Sequence, residues 1–100
     1  PPQTASAEDI QAGSKLFALN CAVCHGLNAY SANAIPDLRY LTPEKHADFQ
    51  NIVHGARAHL GMPPFGGRLK PEEFEKIRAY LVKRAHDLKA ELDAAQAKQQ

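Results

Sequence analysis

The chain has 100 residues, and its 12 Lys and Arg against 11 Asp and Glu leave a formal charge of +1, which excludes the basic footprint of a nucleic-acid-binding domain. An apolar share of 44% excludes disorder by composition, and no run approaches the roughly 20 apolar residues that span a bilayer. This length holds one small domain, of a size that usually draws on a disulfide, a metal or a cofactor for stability.

In chain order, residues 1–6 carry neither a basic region nor an apolar stretch, so they read as a linker or a processed N-terminus. A first helix is predicted from about Ala7 to Val23. Ser6, with Asp9 three residues on, resembles a capping box. Ile10, Gly13, Phe17, Asn20, Cys21 and Cys24 recur at three- and four-residue spacing, which carries both cysteines to the buried side. A loop follows over 26–41, with Pro36 inside it. Thr42 as N-cap, Pro43 at the first helical position and Gly55 as a stop bound a second helix, Pro43 to about His54. Its apolar stripe is Phe49, Ile52 and Val53.

The run Gly61-Met62-Pro63-Pro64-Phe65-Gly66-Gly67 is a loop of fixed and permissive backbone angles. A third helix starts near Pro71, with Glu72, Glu73 and Glu75 where the macrodipole favours acids. Phe74, Ile77, Leu81, Leu88 and Leu92 line one face, with Tyr80 adjacent. Beyond about His86 the helix is mostly Ala, Lys, Glu, Asp and Gln, and it is expected to extend past the globular body. No repeat and no strand stand out. The fold class is all-α.

Cys21-Ala22-Val23-Cys24-His25 has the C-x-x-C-H spacing that attaches a c-type haem. Two cysteines three apart on a turn can each add to one of two neighbouring vinyl groups, and the next residue then reaches the iron. Three other readings of the cysteines stand beside it. A thioredoxin-like pair needs a βαβ context, structural zinc needs a further ligand such as His54 or His59, and a plain disulfide or free thiols need nothing more.

Met62 is the only methionine and is expected as the second axial ligand. A proline-stiffened loop suits a weak thioether ligand, and Met/His ligation raises the reduction potential. The competing reading is a gap-filling core methionine. His59 is the rival ligand, while His46, His54 and His86 are expected on solvated helix surfaces.

With these residues in view, the sequence resembles a class I cytochrome c over about residues 7–85. The likeness rests on Gly13 and Phe17 in the first helix, Cys21 to His25, the Met62 loop, and Tyr80-Leu81 in the last helix. It implies a small cytochrome c fold, three main helices around one covalently bound haem, with Gly13, Phe17 and Tyr80 at the crossing of first and last helices. More narrowly, Cys-Ala-Val-Cys-His-Gly, Ile35-Pro36-Asp37-Leu38-Arg39, Gly61-Met62-Pro63 and Ile77-Arg78-Ala79-Tyr80-Leu81 resemble the cytochrome c domain of quinohaemoprotein (PQQ-dependent) alcohol dehydrogenases. That resemblance implies that the Pro36 carbonyl accepts a hydrogen bond from His25 Nδ1 and that Arg39 pairs with a haem propionate.

The expected organisation is thus 1–6 linker, 7–85 cytochrome domain and 86–100 polar helical extension. The expected role is single-electron transfer on a His25/Met62-ligated haem held by Cys21 and Cys24, not catalysis. Electrons are expected from a quinoprotein dehydrogenase, in a periplasmic or otherwise exported setting. The docking patch is expected near the cysteines and Pro63-Pro64-Phe65. A stand-alone cytochrome with another partner, or a haem enzyme or gas sensor, are the alternatives.

Overall fold

The computed structural model describes residues 1–26, 29, 37–57 and 60–99, and every regular element among them is helical. Ile35, Pro36 and His59 lie outside the described residues.

Ser6 caps α1 (Ala7–Asn20), its hydroxyl accepting from Asp9 N at 3.1 Å. The helix stops short of the expected Val23. Cys21 departs to φ −117°, and Asn20 Nδ2 turns back on Leu16 O at 2.9 Å, giving a donor to a carbonyl of the last turn. One further turn, α2 (Ala22–His25), follows.

The expected second helix begins where predicted, with Thr42 Oγ1 accepting from Lys45 N at 3.3 Å. It is not one helix, however. It divides into α3 (Pro43–Ala47), α4 (Phe49–Asn51) and a π-helical turn over Ile52–Ala56. Asp48 breaks it, sitting at φ −95° and ψ 9° in the sparsely allowed bridge region. Its carboxylate accepts from Asn51 Nδ2 at 2.8 Å. Gly55, at φ 130°, ends the run in a conformation open to glycine alone.

The last helix, α5 (Pro71–Lys98), starts as expected, and the Glu73 carboxylate accepts from Lys70 N at 2.9 Å. Its 28 residues span about 42 Å at 1.5 Å per residue, which sets the 49 Å long dimension of the molecule. Phe74, Ile77, Tyr80, Leu81 and Leu88 are buried. Leu92 corrects the expected stripe. It is 54% exposed, and every described residue from Lys89 onward is exposed.

The core forms where α1 crosses α5. Phe17 and Tyr80 rings lie 5.4 Å apart, and a Cβ at Gly13 would run into the Lys76 carbonyl. Only glycine lets the two backbones approach this closely. Phe49, Val53 and Phe65 close the cluster from the other side. The N-terminal segment lies along α5, with Gln3 Nε2 donating to Ala79 O at 2.8 Å and His86 Nε2 to Pro1 O at 2.7 Å.

His46 is a second correction. It is 7% exposed, not solvated, because its spacing to Phe49 and Val53 places all three on the face turned to the core. His54 and His86 are exposed as expected.

Candidate haem-attachment site

The backbone N–H groups of Cys24 and His25 both donate to Cys21 O, at 3.2 and 2.9 Å, so one turn carries two sulfurs and an imidazole. Cys21 and His25 are half-buried, whereas Cys24 is exposed. The expectation that both cysteines face inward therefore holds for Cys21 alone. The two thiols are not joined. Burial, reinforced by charge on Cys24, pushes the Cys21 thiol up to about 11. Cys21 stays protonated at neutral pH, unlike the low-pKa thiolate of a reactive dithiol. Among the described residues no three His, Cys, Asp or Glu side chains converge on one point, which leaves the zinc reading without His54. Leu19, near the end of α1, and Val23, on α2, are 83% and 91% exposed.

The Met62 loop is tied to the π-helical turn by backbone bonds. Arg57 O accepts from Leu60 N at 2.9 Å and Met62 N at 3.3 Å, and Val53 O accepts from Phe65 N at 2.8 Å. Gly61 makes the bend at φ 95°. Met62 and Cys21, distant in sequence, both pack half-buried against the same core cluster, among Leu16, Ala22, Leu38, Leu41 and Leu69. Pro63 and Pro64 are exposed, but Phe65 is buried, which removes it from the expected docking patch. It is core because Val53 O draws its backbone inward, and the Arg68 guanidinium lies 5.8 Å over its ring.

Arg39 is buried on the 3₁₀ turn Leu38–Tyr40, which packs on α5. Its guanidinium meets Asp37 through two bonds, Nε to Oδ1 at 3.1 Å and Nη2 to Oδ2 at 2.8 Å. Asp37 Oδ1 also accepts from Arg39 N at 3.1 Å. Asp37 as the anchor of Arg39 was not read from the sequence, yet the signal is there: an Asp two residues before an Arg forms an Asx turn whose carboxylate reaches the following side chain.

A model of the family described as cytochrome c oxidase, cbb3-type, subunit III matches residues 8–81. The chain belongs to that family of c-type cytochromes. The cytochrome domain is 50% identical over 84 residues to quinohemoprotein alcohol dehydrogenase ADH-IIG of Pseudomonas putida, covering 84% of this chain and 12% of that protein. It is 40% identical over 97 residues to the dehydrogenase subunit of alcohol dehydrogenase (quinone) from Komagataeibacter europaeus, covering 94% of this chain and 13% of the relative. Among solved structures it is similar to ADHIIG from Pseudomonas putida HK5, with a TM-score of 0.87, 46% identity, and coverage of 90% of this chain and 13% of that one. The chain thus spans 12–13% of the length of these relatives. No helix among the described residues is long and apolar enough to cross a membrane.

A c-type cytochrome implies haem c, and the cytochrome domain has the chemistry to hold it. Two reduced thiols and an imidazole share one turn. A thioether borders the same apolar cluster as Cys21. A proton-bearing thiol is the form whose S–H adds across a double bond, so the donor set fits.

Proposed function

We propose that this domain is an electron carrier, with one haem c held by thioether bonds from Cys21 and Cys24 and ligated by His25 and Met62. The observation that carries this reading is the packing of Cys21 and Met62 on one core cluster, with His25 a turn from Cys21. When bound, the haem supplies a reversible one-electron iron couple.

The chain's residues do the rest. Cys21 and Cys24 would hold the haem by each adding S–H to one of its two vinyl substituents, the sulfur bonding one carbon and the hydrogen the other, a redox-neutral addition. His25 would give an imidazole nitrogen to the iron, and the family resemblance assigns the acceptor for its Nδ1–H, which would orient the ring and raise its basicity, to the Pro36 carbonyl. Met62 gives a soft sulfur that raises the potential. Arg39, aimed by Asp37, offers a fixed positive charge to a propionate. Exposed Leu19 and Val23, and exposed Pro63 and Pro64, would offer small apolar contacts of the kind transient redox partners use. The donor is a PQQ-dependent dehydrogenase, and the domain works in the periplasm. Residues 7–85 form the working unit, with 86–100 as a helical extension.

Stopped-flow mixing of the oxidised holoprotein with a substrate-reduced quinoprotein alcohol dehydrogenase tests this. One electron taken up per chain, with a Nernst slope of one electron, is expected. No reduction would remove that donor, and rapid carbon monoxide binding to the reduced protein would overturn the carrier role itself.

A further inference from the structure

We propose that His54 is a positioning residue for the Met62 loop, holding the thioether where an axial ligand must sit. The inference rests on reading Met62 as that ligand.

The His54 ring is fixed on three sides. Its Nδ1 lies 2.6 Å from Gln50 O, and because a carbonyl can only accept, Nδ1 carries the proton and donates. Gln50 is itself anchored, its Nε2 donating to Pro71 O at 3.1 Å and to Glu75 Oε2 at 3.0 Å. The ring is therefore tied to the start of α5. Phe74 lies on a second side, centroid to centroid 5.1 Å and tilted by 59°, a favoured aromatic arrangement. Gly66 closes the third. A Cβ built there would lie 2.5 Å from His54 Cδ2 and 3.3 Å from Cγ, so the loop backbone rests directly on the imidazole.

The residues flanking His54 complete the arrangement. Val53 O receives Phe65 N, and Arg57 O receives Met62 N. Gly55 meets the loop as well, since a Cβ there would lie 3.2 Å from Pro64 Cβ. The His54 ring thus sits between Phe74 of α5 and Gly66 of the loop, and its chain neighbours Val53 and Arg57 carry the two carbonyls that hold the loop. A thioether binds iron weakly, so its occupancy depends on how rigidly the loop is held. Ordinary helix packing by His54 predicts loss of stability alone. A positioning role predicts that an outside ligand displaces Met62 more readily.

The test is imidazole titration of the ferric holoprotein, followed in the Soret band, for wild type, His54→Ala, His54→Asn, Gly66→Ala, the Ala double variant and Met62→Ala. We expect His54→Ala and Gly66→Ala each to bind imidazole on the order of tenfold more tightly, the scale of losses from residues that orient metal ligands. The double variant should gain little over His54→Ala, because removing the ring frees the space that the Gly66 methyl needs. His54→Asn, which keeps a donor near the Nδ1 position, should recover part of the wild-type resistance. Unchanged affinity in His54→Ala, or fully additive effects in the double variant, would overturn the inference. Wild type that binds imidazole as readily as Met62→Ala does would show instead that the thioether reading fails, and the inference would fall with it.

Discussion

Burial leaves His46 Nδ1 without a hydrogen-bond partner among the described residues, and the imidazole is held below its ordinary 6.5, chiefly by burial and then by Arg78 and the Pro1 amine, against the pull of Glu75. The unfolded chain then binds more protons than the folded one once pH falls below about 6.5. Stability from neutral His46 is full above that value and is lost as pH drops through the folded one. Melting temperatures of wild type and His46→Leu between pH 7 and 5 check this. Wild type should fall more steeply than the variant; parallel curves would contradict it. Arg39 makes a second residue-scale case. With side chains 8% and 14% exposed in the Arg39–Asp37 pair, Asp37→Asn should cost about 3 kcal/mol in urea unfolding, the low end for breaking a buried pair. Both histidine and aspartate were within reach of the sequence. His46 shares three- and four-residue spacing with Phe49 and Val53, but an imidazole is read as polar until its neighbours are known.

At the scale of elements, the crossing of α1 and α5 has least tolerance. Gly13→Ala forces a methyl into the Lys76 backbone, and we expect a loss of about 3 kcal/mol, the upper end for overpacking. Lys15→Ala, on the exposed side of the same helix, should stay within about 0.5 kcal/mol. Equal midpoints in urea for the two variants would refute the close approach. The caps at Ser6 and Thr42 and the start of α5 were legible because each rests on local chemistry, whereas the crossing was legible only through the family resemblance. The break at Asp48 and the π-helical turn were not. The end of that run meets the Met62 loop, which closes onto Val53 O and Arg57 O, a contact that no local pattern announces. The same closure buries Phe65 and sets the His54 ring against Gly66, so the loop's motif was readable while its supports were hidden.

The whole molecule is a short-bodied domain drawn out by one long helix, with a radius of gyration of 14.0 Å, slightly above the roughly 13 Å usual for this length. Lys89 to Gln99 contribute exposed helix only, so deleting 93–100 should leave the urea midpoint of the holoprotein almost unchanged. A marked drop would show that the extension holds the body together. The attachment motif was the most legible feature of all, since C-x-x-C-H is contiguous, whereas Met62, its proposed partner, shares a cluster with Cys21 only through the fold. The central claim is covalent attachment at Cys21 and Cys24. Acid–organic extraction of the purified holoprotein, followed by intact-mass measurement, tests it most directly. The account predicts a chain that keeps one haem through extraction and loses it only when both cysteines are replaced by serine. A chain stripped to its bare mass, with the haem in the organic layer, would contradict it.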